Sequence, residues 1–231
     1  MKTLAQIERA VVACKRCPRL RAYAAEIARE KKRAYRDCEY WGKPVPGFGD
    51  PQARVILVGL APGAHGSNRT GRPFTGDASG AFLYPALFRA GLASVAVATS
   101  RGDGLRLIDC FITAAARCAP PQNKPTPVEL QNCFPYLLEE FDALENARVT
   151  IALGAIGFAA ILKVLAARGF TFAGPKPVFS HGARYRALLG DRAVDVIASF
   201  HPSQQNTNTG KLTVPMFDSI FTLTKQILAT R

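Results

Sequence analysis

Residues 54–60 read RVILVGL, a short apolar run rich in β-branched residues that predicts a buried central strand. A glycine- and proline-rich loop follows it directly. Further predicted strands cover residues 107–115, 149–153, 185–189 and 194–200, and predicted helices cover residues 80–90, 129–144, 155–167 and 214–228. Strands that alternate with helices predict a three-layer α/β/α fold around a central, mostly parallel sheet. Its ligand cleft should lie beyond the carboxyl ends of the strands.

The N-terminal part of the chain is helical and basic. Helices are predicted over residues 5–14 and 20–36, before a turn-rich linker at residues 44–51. Residues 1–43 hold 12 basic and 5 acidic side chains, which is seven of the thirteen net positive charges of the protein. A field of this sign attracts polyanions such as nucleic acid, although a solvated basic helix is the alternative.

Length and composition limit the number of domains and the class of protein. With 231 residues, 48% of them hydrophobic, the chain is predicted to form one domain over residues 1–231, with residues 1–50 as its basic helical segment. Charge appears too early for a secretory signal, and no run of about 18 apolar residues exists to span a bilayer. We therefore expect a monomeric cytoplasmic protein without a membrane partner.

Four cysteines form a pattern that is divided between two distant places: Cys14 and Cys17, and Cys118 and Cys133. Without an export signal, such a set indicates a metal or cluster site rather than disulfides. The wide spacing of the second pair favours an iron–sulfur cluster over zinc, which remains the alternative. Buried free thiols are a third interpretation, and they fit Cys110 and Cys38 well.

The loop at residues 59–77 reads GLAPGAHGSNRTGRPFTGD. Its five glycines would let backbone amides approach a ligand, yet neither GxxxxGK[ST] nor GxGxxG is present, which disfavours nucleoside triphosphate and dinucleotide sites. Phe74 offers a face for stacking a base and Asp77 a carboxylate beside it; a core phenylalanine and a helix N-cap are the plainer interpretations. His201 follows the last predicted strand, where the cleft should lie.

Together these motifs resemble the uracil-DNA glycosylase superfamily, and most closely family 5, its iron–sulfur type B branch. The resemblance extends over GLAPG at 59–63, GRPFTGD at 71–77, CAPPQNKP at 118–125 and HPS at 201–203. It implies a DNA repair enzyme that acts on uracil and other deaminated bases, including hypoxanthine and xanthine. It also implies that Cys14, Cys17, Cys118 and Cys133 hold a structural 4Fe–4S cluster.

The resemblance further implies roles for individual residues. Phe74 would stack on the extruded base. Asp77 would activate or orient the attacking water, or stabilise the oxocarbenium-like sugar, and Asn123 would help to place that water or the base. His201 would donate a hydrogen bond to the base as negative charge develops on it. The remaining base-binding positions are Gly59, Ala61, Gly63, Ala114 and Ser203, and Gln205 would be the wedge that fills the gap in the DNA.

Ala114 departs from the related family 4, which has an asparagine at this position to read the polar edge of uracil. A methyl group there should relax discrimination between bases. None of the residues that the resemblance places in the base pocket is a lysine that could form a Schiff base, so we expect a monofunctional glycosylase. Two other classes of function compete with this one: a non-enzymatic nucleic-acid-binding module with a structural metal site, and a redox protein.

Overall fold

Residues 1–230 are described in a computed structural model of the protein. The helices are α1 (Leu4–Val12), α2 (Pro18–Glu30), α3 (Ser67–Thr70), α4 (Ala78–Arg89), α5 (Pro127–Ala143), α6 (Ala155–Ala167), α7 (Gln204–Asn208) and α8 (Val214–Ala229). The strands are β1 (Phe48–Gly49), β2 (Val55–Gly59), β3 (Cys110–Ala114), β4 (Val149–Leu153), β5 (Thr171–Phe172), β6 (Arg184–Leu189) and β7 (Arg192–Ser199).

The seven strands form one sheet in the order β1-β3-β2-β4-β7-β6-β5. Its four central strands, β3, β2, β4 and β7, are parallel, and the edge strands β1, β6 and β5 pair antiparallel. β2 and β4 are buried along their whole length, as strands covered on both faces must be. The predicted mostly parallel sheet is therefore confirmed.

Helices cover both faces of the sheet. Alternate residues of β2 point to opposite faces, so Val55 and Leu57 pack with α4 and α8, whereas Ile56 and Val58 pack with α5 and α6. This arrangement is the predicted three-layer α/β/α architecture. Within residues 1–230, no helix is long and apolar enough to cross a membrane.

The N-terminal segment departs from the sequence-based prediction. The helix expected over residues 20–36 ends at Glu30, because Lys31 adopts a left-handed φ of 54°. A short 3₁₀ turn, Arg33–Tyr35, follows after the change of direction. No glycine or proline marks this break, so the apolar spacing alone could not reveal it.

Three smaller differences also have local causes. β3 begins at Cys110 rather than at residue 107, because Asp109 has a left-handed φ of 56° and interrupts the strand. The predicted linker contains β1, whose two residues pair with β3. Residues 204–208, for which the sequence pattern predicted no element, form α7, and the side chain of Ser203 caps this helix.

Candidate active site

A cleft of about 880 Å³ opens at the carboxyl ends of the parallel strands, as expected for this class of fold. Segments that are far apart in sequence supply its walls, including the loop after β2, the end of β3 and the loop after β7. All ten residues predicted to act on or bind the base line it: Gly59, Ala61, Gly63, Phe74, Asp77, Ala114, Asn123, His201, Ser203 and Gln205.

Asp77 is held on two sides. It is the N-cap of α4, and its Oδ1 accepts a hydrogen bond from the Gly80 N–H at 3.0 Å. Its Oδ2 lies against the glycine loop, where a Cβ added at Gly66 would be 1.9 Å away and one at Gly63 would be 3.0 Å away. The N-cap interpretation is thus confirmed, and these two glycines make room for the carboxylate.

Opposing effects act on the pKa of Asp77. Burial raises its pKa above the ordinary value, since a charged carboxylate loses solvation in the cleft. The N–H groups of Gly80 and Ser79 and the positive charge of Arg69 act in the opposite direction. The result is a partly buried carboxylate whose affinity for a proton is increased.

Phe74 forms part of the wall beside Asp77. Its φ of 51° is unusual for a phenylalanine, and its backbone packs so closely on Gly80 that a Cβ there would lie 1.8 Å from the Phe74 carbonyl oxygen. Phe74 is 9% exposed and belongs to the hydrophobic core, so the core interpretation is also correct. The remaining exposed surface faces the cleft.

His201 lies across from this loop. It follows β7 by two residues, and its ring centroid is 5.7 Å from that of Phe74. Burial lowers the pKa of His201 to about 4, so the imidazole is neutral at neutral pH. Asn206 on α7 donates to its carbonyl oxygen at 2.9 Å and fixes the loop.

Three further residues of the predicted site also line the cleft. Ala114 ends β3 and pairs with Gly59 in the parallel ladder. Asn123 is exposed at the mouth and has a left-handed φ of 57°. Gln205 is exposed on α7, also at the mouth. The amides of Asn123 and Gln205 are therefore exposed to solvent at the cleft, whereas position 114 contributes a methyl group to its lining.

The four cysteines of the divided pattern meet near the junction of α2 with the core. Cys17 and Cys118 pack in one buried cluster with Leu20. Burial first, and then neighbouring Cys133 and Cys14, raise the pKa of Cys118 to about 12. Burial likewise raises the pKa of Cys133, and Cys17 and Cys14 add to this. Each thiol of the second pair therefore lies within electrostatic range of the first.

Polar and cationic groups lie near these thiols. The Asn132 amide donates to Cys17 Sγ at 3.5 Å, and the side chain of Arg21 and the backbone N–H of Arg117 partly offset the effect of burial on the pKa of Cys118 and of Cys133. Four cysteine thiols with nearby N–H groups and cations form a donor set of the kind that an iron–sulfur cluster requires. Among residues 1–230, no three or more His, Cys, Asp or Glu side chains are arranged to hold a metal ion. The cluster remains a prediction.

The other two cysteines lie apart from this group. Cys110 is fully buried within β3, as expected for a structural thiol, and burial raises its pKa strongly. Cys38 is half-buried instead of buried.

Residues 46–224 match the sequence model of a family described as the Uracil DNA glycosylase superfamily. The chain belongs to this superfamily. It is 52% identical over 217 residues to the Type-5 uracil-DNA glycosylase of Thermus thermophilus, with 94% of each chain covered. It is 47% identical over 204 residues to the Type-5 uracil-DNA glycosylase of Pyrobaculum aerophilum, which covers 88% of this chain and 84% of the relative.

The Type-5 enzyme of Mycobacterium bovis is 43% identical over 226 residues, which cover 97% of this chain and 82% of the relative. These matches confirm the resemblance to family 5.

Several residues of this superfamily member line the cleft without having been predicted. Tyr23, Lys32 and Tyr35 reach it from the N-terminal segment, and Arg117 reaches it from the core. Lys32 and Tyr35 were missed because a continuous helix over residues 20–36 would have carried them past the cleft, whereas Tyr23 lies before the break and no motif marked it. Arg117 is 2% exposed and ion-paired with Glu140, and only its position beside Cys118 could have suggested it.

Proposed function

We propose that this protein is a monofunctional uracil-DNA glycosylase that extrudes uracil and other deaminated bases from DNA and hydrolyses the N-glycosidic bond. The observation that carries the proposal is the convergence of Asp77, Phe74 and His201 in one cleft at the carboxyl ends of the strands. The names of its relatives support uracil as a substrate.

The cleft suits a base that has left the duplex. Extrusion removes stacking and pairing, so the protein must replace them with an aromatic face and polar contacts. Phe74 would provide the face, and the backbone of Gly59, Ala61 and Gly63 would approach the base edge. Gln205, exposed at the mouth on α7, would enter the gap in the duplex while Ser203 caps that helix.

Asp77 and His201 would act on opposite sides of the bond that breaks. The ionised Asp77 would orient the attacking water and stabilise the oxocarbenium-like sugar, with Asn123 helping to place that water. The neutral imidazole of His201 would donate a hydrogen bond to the departing base, whose oxygen gains negative charge. A neutral donor avoids the desolvation penalty of a buried imidazolium.

Ala114 would broaden the range of substrates. Its methyl group makes no hydrogen bond to the base edge, so a base with a different donor pattern leaves no buried partner unpaired at this position. Hypoxanthine and xanthine are therefore proposed as substrates beside uracil.

We also propose a 4Fe–4S cluster held by Cys14, Cys17, Cys118 and Cys133. When bound, it would cross-link the N-terminal segment to the loop after β3, which carries Cys118, and to α5, which carries Cys133, a purely structural contribution. The converging thiols and their N–H donors support this assignment.

The proposal is tested by incubating the protein with duplexes that contain a single uracil, hypoxanthine or xanthine and then cleaving abasic sites with alkali. Abasic product is expected from the wild-type protein. Asp77→Asn keeps an N-cap side chain and should reduce the excision rate about 10²- to 10⁴-fold. Binding of all three duplexes without an abasic product would instead identify a non-enzymatic nucleic-acid-binding module.

A further inference from the structure

Arg69 on α3 lies behind the loop that carries Asp77 and bonds two distant points of it. Its Nε donates to the His65 carbonyl and its Nη2 to the Gly76 carbonyl, each at 2.8 Å. Gly76 immediately precedes Asp77, and a Cβ there would lie 2.3 Å from Arg69 Nη2. One guanidinium therefore fixes the peptide next to the carboxylate, and glycine at position 76 makes room for it.

The same guanidinium is held by the N-terminal segment. It stacks on the ring of Tyr35 at 4.0 Å from the centroid, and Tyr35 itself lines the cleft. The Trp41 N–H donates to the Arg69 carbonyl at 2.8 Å, so side chain and backbone of Arg69 both contact this segment. Such stacking between a planar cation and an aromatic ring orients the fork of N–H donors.

We propose that Arg69 is a positioning residue that holds the Asp77 carboxylate at the cleft and connects it to the N-terminal segment through Tyr35. This inference rests on the proposed glycosylase function. Arg69 acts through the loop: its hydrogen bonds go to the carbonyls of His65 and Gly76, and its charge favours the ionised form of the neighbouring carboxylate.

Other charged and titratable groups around the loop do not duplicate this role. Lys32 is exposed at the cleft, and Arg72 is ion-paired with Asp103 at 2.6 Å. Burial lowers the pKa of His201, and burial, then Lys32 and Arg69, lower that of His65. Both imidazoles are consequently neutral at neutral pH.

The test compares Arg69→Gln with Arg69→Lys by single-turnover excision of uracil across a range of pH. Arg69→Gln should lower the rate about 100-fold, the typical effect of a small misplacement of a catalytic group. The acid limb of the pH–rate profile of Arg69→Gln should move to higher pH, because the positive charge that favours ionised Asp77 is gone. Arg69→Lys keeps the charge, so its limb should stay near that of the wild type while its rate still falls.

Arg89→Gln is the matched control, since Arg89 forms a half-exposed ion pair with Asp218 at the other end of α4, and its rate and pH profile should be unchanged. Wild-type rate and pH profile in folded Arg69→Gln would overturn the role of Arg69. If that variant does not fold, the excision rates of Arg69→Lys and Tyr35→Leu test the proposal instead. Wild-type rates in both variants would overturn the role of Arg69. Failure of the wild-type protein to excise any base would instead overturn the proposed function.

Discussion

At the scale of single residues, the carboxylate of Asp77 serves both the fold and the proposed chemistry. One oxygen caps α4, and the other faces the glycine loop in the cleft. Because the cap fixes the side chain before any substrate arrives, little ordering remains to be done on binding. Burial then adjusts the acidity of a group whose position is already set.

The pH dependence of excision should report Asp77 and not His201. The rate should rise with pH through the pKa of Asp77, which burial raises, because the proposed role needs the ionised carboxylate. His201 has its pKa lowered to about 4, so it is already neutral where a free imidazole titrates, and no limb should appear there. Single-turnover rates measured from acidic to neutral pH test this. An unchanged acid limb in Asp77→Asn would assign it to another group.

Ala114→Asn should narrow the substrate range. An amide at this position would require a matching base edge, so excision of hypoxanthine relative to uracil should fall about 10-fold or more. The ratio of single-turnover rates on the two duplexes measures the effect. Ala114→Gly adds no polar group and serves as the control, with its ratio expected to stay near that of the wild type. An unaltered ratio in Ala114→Asn would mean that position 114 does not read the base.

At the scale of elements, the break after α2 determines what the basic segment can do. The left-handed Lys31 turns the chain, so Lys32 and Tyr35 reach the cleft while Arg29, Arg33 and Arg36 stay exposed. Positive charge is thus placed next to the mouth through which an extruded nucleotide would pass.

Replacing Arg29 and Arg33 by Gln should weaken DNA binding equally for every target base. Each phosphate contact that is lost should reduce the slope of log affinity against log salt by about 0.9. Affinities for uracil-containing and undamaged duplexes, measured at several salt concentrations, provide the slope. Lys225→Gln, an exposed change on α8, is the control. A slope equal to that of the wild type would show that the segment faces solvent in the complex.

The central elements were predictable because their sequence pattern reflects burial on both faces. The segment at 54–60 contains β2, and each of its residues from Val55 to Gly59 is buried. The two-residue strand β1 and the break at Lys31 depend on tertiary contacts, which local sequence does not record. In the cleft, the motif residues were predictable, whereas Arg69 was not, because backbone carbonyls accept its bonds and they carry no sequence signal.

At the scale of the whole molecule, the cysteines join the N-terminal segment to the core. Cys14 precedes α2, which carries Tyr23, and Cys118 lies in the loop that leads to Asn123, so a group bound by all four thiols would link two segments that line the cleft. Removing that link should loosen α1 and α2 before the sheet is affected.

Cys14→Ser should lose iron, lower the melting temperature and increase proteolysis within residues 1–43. Affinity for DNA should fall as well, because the basic segment would no longer be fixed. Iron content, thermal unfolding and limited proteolysis measure these effects. Cys38→Ser changes a half-buried thiol outside the group and should keep its iron. Full iron content in Cys14→Ser would exclude Cys14 as a ligand.

Contacts between the start of the chain and α5 also affect the order in which parts of the newly synthesised protein can dock. Tyr136 donates to the Ala10 carbonyl across 126 positions of sequence, and Arg16 donates to the Asn132 carbonyl across 116. A growing chain therefore exposes α1 until α5 has been synthesised, which is more than half of the chain. Throughout that interval the apolar face formed by Ile7 and Val11 lacks Tyr136, its partner in the folded protein. Tyr35 can dock earlier, because its partner Arg69 follows it closely in the chain.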